Sequence, residues 1–517
     1  MSSIEQHHDT EKAQVAHNAE KPETTLKEDV QAYGLEKVYE RHGRIDLVPL
    51  PSDDPLDPYN WPSWKKHAVL MQVALMAMLG PFSAAATIPS FELFVEEWGV
   101  TITAASYTVS IVIIFIGCFP LLWAPIANRV GRRPVLLMCL PLSAAFHLAG
   151  GYVNSYGAFM ALRVFQGIFL APAQSLGANM VKEMFFQHEL GAKTGIWTLF
   201  TSLGPPSAPF FTGFLTYHTG TWRWTMYLLA IIQISQFALF LFLGPETMFG
   251  RPVRGEQPQR VINESEEKAS WWKPLVTFKR RSSAPWSQIP IEVARPMTMF
   301  ARPEVFLPTL GYAVIFSFTN VLLTIEIPAL LGRRAVLNSQ QIGLQFIGAI
   351  LGAFLGEIIA GKGSDLWMRY RTKRANGNRE PEFRLPFALP GYLFGAVGII
   401  VFGIQLQNMT PGHWNVTPVV GVAIAIFGLQ LVTTTAYSYA LESQPAHLVG
   451  RVAPFISFVR QIYAFTAPFY LSIPFEEWGD AKAGGMYAAL AGGVGFITTA
   501  LCLAYGRKWR SRDAIVA

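Results

Sequence analysis

Long apolar runs separated by short polar segments fill most of this chain of 517 residues from about residue 67 onward. Each run is close to the roughly 20 residues that an α-helix needs to cross the hydrocarbon core of a bilayer. Twelve spans are predicted in this way, at residues 67–88, 103–123, 135–153, 157–181, 193–215, 224–244, 305–331, 342–361, 386–405, 417–438, 453–474 and 486–505. The pattern predicts an all-α integral membrane protein with two sets of six spans on either side of a polar segment.

The polar segments complete the predicted division of the chain. The first 45 residues are rich in Glu, Lys, Gln and His and poor in large apolar residues, which is typical of disorder. Trp61 and Trp64 beside Lys65 and Lys66 are typical of a membrane interface, where the rings lie among the headgroups. The predicted units are a disordered cytosolic tail (1–45), a juxtamembrane segment (46–66), a first six-helix bundle (67–247), a central cytosolic loop (248–303), a second six-helix bundle (304–505) and a cytosolic tail (506–517).

The charged residues predict the orientation of the spans. Only 15% of the residues are charged, against about 25% in soluble proteins, and the basic residues flank spans instead of forming a nucleic-acid patch. Because Lys and Arg collect in cytosolic loops, both termini are predicted to be cytosolic. Segments placed inside hold Arg129, Arg132, Arg133, Arg369, Arg371, Lys373, Arg374, Arg379, Arg384, Arg507, Lys508, Arg510 and Arg512, and those placed outside hold Glu92, Glu96, Glu97, Glu476, Glu477 and Asp480.

One predicted outer loop contains two glycosylation sequons. Asn408 and Asn415 each begin an Asn-x-Thr sequence, the acceptor for N-linked glycans, on the side that the topology requires. Each sequon is followed by proline, so an unmodified loop is the alternative.

The central loop also has two interpretations. It carries Lys279-Arg280-Arg281 near Trp271, Trp272 and Trp286. Basic residues beside tryptophans favour a segment that rests on anionic lipid. A flexible linker with incidental charge is the alternative.

Several separate motifs bear on the family of the chain. Between spans 2 and 3 it reads Ala124-x-x-x-Asn128-Arg129-x-Gly131-Arg132-Arg133, and span 4 contains Ala161-Leu162-Arg163-Val164-Phe165-Gln166-Gly167. Trp222-Arg223-Trp224 opens span 6, and Pro245-Glu246-Thr247 closes it. These stretches resemble the signatures of the major facilitator superfamily, whose first motif is Gly-x-x-x-Asp-Arg-x-Gly-Arg-[Arg/Lys], and of its fungal twelve-span drug:proton antiporters. The resemblance implies the major facilitator fold, with two six-helix bundles (6+6) related by pseudo-twofold symmetry.

Span 5 bears on the direction of transport. Antiporters of the family carry Gly-x8-Gly-x3-Gly-Pro-x2-Gly there, and this chain keeps two of the glycines in register and replaces two. Small residues let helices approach closely, and prolines kink a span. The resemblance favours export, and packing without directional meaning is the alternative. The stretch contains Gly195, Gly204-Pro205, Ala208-Pro209 and Thr212-Gly213.

The second half contains a diluted copy of the first motif. Gly361-Lys362-Gly363-Ser364-Asp365-x-x-x-Arg369 follows span 8 as Ala124 to Arg132 follows span 2, which is what parallel internal repeats produce. The resemblance implies that the aspartate of the first motif pairs with arginines and caps a helix of the opposite half. Here Asn128 stands in its place, which either weakens this latch or is neutral because it is offset elsewhere.

Charged residues inside spans are candidates for the transport machinery, because each costs at least about 2.5 kcal/mol at the bilayer centre. The resemblance implies that Arg163 faces the central cavity and takes part in proton coupling; an arginine that snorkels outward or bonds to carbonyls is the alternative. Glu326 is the deepest carboxylate and a candidate protonation site, since burial favours the neutral carboxyl group; a structural hydrogen bond, or a place near the outer end of span 7, is the alternative. Arg460 could bind an anionic substrate group or balance Glu326, while Glu357 is predicted to be structural. Further polar residues predicted along the pathway are Gln72, Gln166, Gln174, Asn320 and Tyr437, although such side chains more often join helices.

The predicted function is that of a plasma-membrane transporter. It would export small organic molecules, drugs or secondary metabolites in exchange for protons by alternating access, as a monomer surrounded by membrane lipid. An importer of a nutrient, cation or polyamine and a sensor that does not transport are the alternatives. No His-rich, Ser/His/Asp or metal-spaced constellation lies near a membrane face, so no enzyme activity, cofactor or metal is predicted.

Overall fold

The computed structural model describes residues 57–249 and 285–516, together with residues 47, 49, 51, 52 and 54. This part of the chain is helical and contains no strand. The predicted disordered tail (1–45) and the basic run Lys279-Arg280-Arg281 with Trp271 and Trp272 lie outside the described residues. Trp286, the third tryptophan of that prediction, is described and exposed.

Twelve helical segments of the described residues follow one another in the predicted order, and they are numbered here as spans. The first six are Ser63–Ala85 (span 1), Ile102–Cys118 with Pro120–Val130 (span 2), Arg132–Gly150 (span 3), Tyr156–Met184 (span 4), Gln187–Thr219 (span 5) and Arg223–Leu243 (span 6). The last six are Pro303–Phe316 continued to Ala335 (span 7), Ser339–Gln345 with Ile347–Arg374 (span 8), Ala388–Gln407 (span 9), Thr417–Glu442 (span 10), Ala446–Thr466 (span 11) and Asp480–Val516 (span 12). Spans 1 and 12 therefore begin and end on one side of the molecule, called here the terminal face.

Most of these helices qualify as membrane spans by length and composition. Nine described helical stretches are long and apolar enough to cross a bilayer, and the two parts of span 2, bent by 43°, form a tenth crossing. Pro120 begins the second part, and its ring and missing N–H prevent a straight continuation. Spans 5 and 11 are long enough but less apolar. Both line the cavity between the halves, where polar side chains are tolerated.

The connection between spans 2 and 3 is shorter than the sequence predicts. Asn128 and Arg129 lie in the last turn of span 2, which ends at Val130, and Arg132 begins span 3, so Gly131 alone separates the two helices. Its φ is +111°, a conformation that side chains rarely adopt. An added Cβ would also lie 2.5 Å from a carboxylate oxygen of Glu246. Glycine is therefore required at this turn.

The copy of this motif in the second half has a different backbone. Gly361 to Arg369, predicted as a loop after span 8, lies inside the helix Ile347–Arg374. That helix ends where Asn376 and Gly377 adopt positive φ angles of 54° and 87°, as helix termini commonly do. The two halves thus share the motif but place its turn differently.

Span 12 also extends beyond its prediction. Its helix continues through the predicted tail to Val516. Arg510 in this extension donates to both carboxylate oxygens of Glu382, at 2.7 and 2.5 Å, and so ties it to the segment before span 9.

Span 7 is irregular in its second half. Ser317–Val321 and Ile327–Gly332 are π-helical, with one short α-helical turn, Leu322–Glu326, between them. A π-helical turn widens a helix locally and is frequently found at functional sites. Asn320 lies in the first of these segments and Glu326 directly before the second.

The outward-facing side chains of several spans are large and apolar. Phe242 in span 6, Leu351 in span 8 and Ile497 in span 12 are more than half exposed. In water such faces would be aggregation-prone, but in a bilayer they contact lipid chains. The described chain is thus a multi-span membrane protein.

Candidate functional site

A cavity of about 840 Å³, counting space open to solvent, lies between the two halves. Spans 1, 2 and 5 form the wall of the first half, and spans 7, 10 and 11 form the opposite wall. Each wall therefore comes from three helices of one half.

The two walls differ in chemistry. The first-half wall is mostly apolar and includes Pro81, Ala84, Val109, Ile113, Ile116 and Pro205, with Thr201 and Ser202 of span 5 as its polar residues. The second-half wall carries most of the polar groups, which are Tyr312, Asn320, Thr324, Gln430, Thr433, Arg460 and Gln461. A bound molecule would meet hydrocarbon on one side and hydrogen-bonding groups on the other.

Arg460 has the only formal charge among the described residues that line the cavity. Its guanidinium donates to the Tyr312 hydroxyl at 2.8 Å and lies over the Phe316 ring, 4.7 Å from its centre. Its Nε–H is buried without a hydrogen-bond partner in the described structure. Glu326, which was a predicted counter-charge, instead accepts from Ser472, so the described contacts do not pair the two residues.

The cavity is closed on the side opposite the terminal face. There Gly213 of span 5 meets span 8 of the other half so closely that an added Cβ would lie 2.6 Å from the Ser339 carbonyl oxygen. Gly343 of span 8 is equally close to span 5, because a Cβ added there would lie 2.6 Å from the Pro209 carbonyl oxygen. Two glycines thus let the halves touch backbone to backbone.

The other positions of the span 5 motif have different surroundings. A Cβ at Gly204 would lie 2.8 Å from the Met78 carbonyl oxygen of span 1, within the same half. A Cβ added at Gly195 would meet nothing within 4 Å. Pro205 lines the cavity and Ala208 is fully buried. Only Gly213 and Pro209 of this motif take part in the contact between span 5 and span 8 described above.

Arg163 is fully buried inside the first half and lies outside the cavity lining. It donates to the carbonyl oxygens of Thr108, Ser83 and Ala84 at 3.0 to 3.1 Å, and to the Gln166 side chain. Gln166 in turn donates to the Phe146 carbonyl oxygen. The guanidinium therefore joins spans 1, 2 and 4 through backbone groups.

A buried histidine beside this network was missed from the sequence. His147 of span 3 is fully buried, with Nε2 2.7 Å from the Ser83 hydroxyl and Nδ1 2.8 Å from the Ser143 carbonyl oxygen. The neutral tautomer with hydrogen on Nδ1 satisfies both contacts. A single histidine in an apolar run gives no sequence signal for such a role.

Glu326 and Glu357 are buried carboxylates outside the cavity lining. Glu326 accepts a hydrogen bond of 2.8 Å from Ser472 near the far end of span 7, and its second oxygen has no partner among the described groups. Glu357 also has one buried oxygen without a described partner.

The remaining predicted pathway residues are scattered. Asn320 lines the cavity, whereas Gln72, Gln174 and Tyr437 do not. Gln174 packs beside Gly80 of span 1.

The predicted glycosylation sites Asn408 and Asn415 are exposed between spans 9 and 10, on the face opposite the termini.

On the terminal face, the arginines of the first motif are held by three glutamates. Arg132 forms a two-pronged ion pair with Glu183 at the end of span 4, with Nε 2.8 Å from Oε2. Glu246 accepts from the backbone N–H groups of Arg132 and Arg133 at 3.2 and 3.0 Å, so its charge caps the start of span 3. Arg133 donates to the Leu241 carbonyl oxygen.

Arg129 extends this network to the segment between the halves. Its buried guanidinium makes two hydrogen bonds of 2.9 Å to Glu292, in the helix Ile289–Ala294. It also donates to the Pro285 carbonyl oxygen. Asn128 beside it is exposed and takes no part in the described ion pairs.

The second half repeats the arrangement with its own residues. Arg384, just before span 9, pairs with Glu442 at the end of span 10, as Arg132 at the start of span 3 pairs with Glu183 at the end of span 4. Asp365 is 3.0 Å from Arg384, while Arg369 of the same copy is exposed.

The motif that opens span 6, Trp222-Arg223-Trp224, makes its contacts on the face opposite the terminal face. Trp222 donates its indole N–H to Glu97 at 2.7 Å, and Arg223 pairs with the same carboxylate at 2.6 Å. Glu97 belongs to the helix Phe91–Trp98 in the connection between spans 1 and 2.

Comparisons with known proteins agree with this architecture. Residues 73–468 match the model of the Major Facilitator Superfamily. The cycloheximide resistance protein of Candida maltosa is 25% identical over 81% of this chain and 75% of its own length. An MFS antiporter of Candida albicans is 23% identical, with 91% and 81% covered. A partially occluded, inward-open structure of the E. coli xylose transporter XylE superposes with a TM-score of 0.59 at 13% identity, with 86% and 98% covered.

These matches identify a family of membrane transporters and not a family of enzymes. The likeness to XylE concerns the fold alone, whereas the sequence relatives include proteins named for efflux and drug resistance. The chain therefore belongs to the major facilitator superfamily, and the relatives that it matches are those of the fungal drug-efflux branch.

Proposed function

We propose that this transporter exports small organic molecules across the plasma membrane in exchange for protons, by alternating access and as a monomer. The observation that carries the proposal is the central cavity, whose walls come from the two halves and which is closed on one side by the Gly213–Gly343 contact. A site between two halves, closed on one side by a contact between them, is what alternating access requires.

The direction of transport rests on the motifs and the relatives. Span 5 keeps Gly195, Gly204 and Pro209 of the antiporter pattern, and relatives are named as an efflux pump, an antiporter and a drug-resistance protein. The terminal face carries the basic motifs, so we assign it to the cytosol. Asn408 and Asn415 then face outward, where glycosylation is possible.

Reconstituted vesicles test the direction. Full-length protein in liposomes, with labelled cycloheximide and an imposed proton gradient, should drive substrate movement opposite to the proton flow. A control without a gradient should give only equilibration. Movement of substrate with the protons would contradict export by antiport and favour an importer.

We propose Glu326 as the group that carries the proton. It is fully buried and has one carboxylate oxygen without a described partner, which favours a carboxyl group that exchanges a proton. It also lies six residues beyond cavity-lining Asn320, with the π-helical turn Ile327–Gly332 directly after it. A change of charge at Glu326 can therefore act on the shape of span 7.

Two matched substitutions separate the candidate carboxylates. Glu326→Gln should keep substrate exchange between two loaded compartments but lose the acceleration by a proton gradient. Glu357→Gln, the same change in span 8, should keep both activities. A Glu326→Gln protein that still responds to the gradient would eliminate Glu326, and loss of the response in Glu357→Gln alone would transfer the role to Glu357.

A further inference from the structure

We propose that the central cavity selects amphipathic organic anions, with a carboxylate or similar group bound by Arg460 and an apolar body against the first half. This inference rests on the proposed transport function, since it names the substrate class of the same cavity. It is carried by the chemistry of the two walls and by the hydrogen-bonding state of one side chain.

The walls fix the orientation of a ligand. Spans 1 and 2 present Ala84, Val109 and Ile113, which offer contact area and no hydrogen bond. The opposite wall presents Arg460 and Gln461 side by side on span 11. A molecule with one apolar side and one polar end satisfies both walls at once, whereas a wholly polar sugar-like molecule would leave its hydroxyls unpaired against spans 1 and 2.

The Arg460 guanidinium is held in place by its neighbours, but most of its hydrogen-bond donors have no described partner. Its bond to Tyr312 and its stacking on Phe316 fix the plane of the guanidinium at the cavity wall. The Tyr312 hydroxyl takes one of five donors, so the other N–H groups of the two terminal nitrogens have no described partner, while the Nε–H is buried. A planar donor fork in this state matches the two oxygens of a carboxylate.

The charge itself also favours an anion. None of the described carboxylates forms an ion pair with Arg460, and Glu326, the counter-charge that the sequence suggests, accepts from Ser472. An unpaired cation in a low-dielectric cavity is costly, and an anionic ligand relieves that cost as it binds. A cationic ligand would meet repulsion from the same group.

The test compares two probes of nearly equal shape. Labelled 1-naphthylacetate and 1-naphthylacetamide differ in charge at one end and share the apolar ring. Equilibrium binding to the purified full-length protein in nanodiscs, at about pH 7.5 where a carboxylic acid is ionised, should favour the carboxylate by about 10- to 100-fold. No gradient is applied, so the measurement does not depend on transport.

Two substitutions on span 11 assign the preference. Arg460→Gln should weaken carboxylate binding to the level of the amide and leave amide binding within about twofold. Arg451→Gln, the matched change nearer the terminal face and outside the cavity lining, should keep the full preference. If Arg460→Gln is not recovered folded, Arg460→Lys must lower carboxylate affinity by at least about threefold with amide binding unchanged, because the donor fork is lost.

Equal affinity for the two probes, no binding of either, or a preference that survives Arg460→Gln would overturn the proposal. Selective binding without any gradient-driven movement of the carboxylate would leave the ligand class intact and count against proton-coupled export instead. If the protein exports cycloheximide when a proton gradient is applied but binds the two probes equally, proton-coupled export stands and the proposed ligand class is wrong.

Discussion

The contact between Gly213 and span 8 predicts that one added methyl group changes the balance between the two states of the transporter. In Gly213→Ala the new Cβ would lie 2.6 Å from the Ser339 carbonyl oxygen and 3.0 Å from the Gly343 Cα. Ordinary contact begins near 3.4 Å, so spans 5 and 8 must separate by about 0.8 Å (3.4 minus 2.6). Both clashes are with backbone, which cannot rotate away.

The cost of this clash falls on one state only. Inserting a methyl group into a well-packed contact typically costs about 1–3 kcal/mol. The contact joins the two halves, and it must be absent when the cavity opens to the opposite face. The closed state is therefore destabilised by about 1–3 kcal/mol while the open state is not, which raises the open population by about 5- to 150-fold.

Accessibility of a cavity residue measures this shift. With the three native cysteines replaced by alanine, Val109→Cys places a thiol in the cavity wall. A membrane-impermeant maleimide added from the face opposite the termini should label it about 5- to 150-fold faster in Gly213→Ala. Gly343→Ala should act in the same direction, and Gly195→Ala, where nothing lies within 4 Å, should not. Equal labelling in Gly213→Ala and Gly195→Ala would refute the reasoning.

Three further substitutions test the buried polar contacts and the terminal face. Gly131→Ala should lower stability by about 1–3 kcal/mol because of its positive φ and the Glu246 carboxylate, seen as a lower Tm in detergent than for Gly191→Ala, which has open surroundings. Arg163→Gln leaves three carbonyl oxygens without their donor and should cost about 2 kcal/mol or more, so a wild-type Tm would contradict a structural role. Asn128→Asp should leave the transport rate and the labelling of Val109→Cys within about twofold, because the neighbouring arginines already have acidic partners; a larger change would show that the asparagine weakens a latch.

The number and order of the spans could be predicted from the sequence because hydrophobic length is a local property. Twenty apolar residues define a crossing whatever surrounds them. The prediction fails at the ends of helices, where single contacts decide. Gly131 makes a one-residue turn because Glu246, 115 positions away in the chain, caps the next helix, and nothing local in the basic motif announces that.

The cavity walls could be predicted only in part. Asn320 and Arg460 were singled out as polar residues in apolar spans and do line the cavity. Arg163 and Glu326 carry the same signal but bond within their own halves. Polarity in a span identifies a group that needs a partner, whereas the rotation of the helix decides whether that partner is backbone, side chain or ligand.

The terminal face shows how a departure from a family motif can be compensated by distant residues. In the sequence, Arg129 and Arg132 lie close to Asn128, where the family motif has aspartate. The motif itself therefore supplies no carboxylate to these arginines. The fold supplies Glu183 and Glu292 to them from span 4 and from the helix Ile289–Ala294. Since a charge within about 3 Å outweighs one that is exposed to water, the aspartate of the motif would add little here. The pairing of Arg384 with Glu442 in the second half indicates that the bond between the third and fourth helices of each bundle, and not the residue at position 128, is the element that the two repeats preserve.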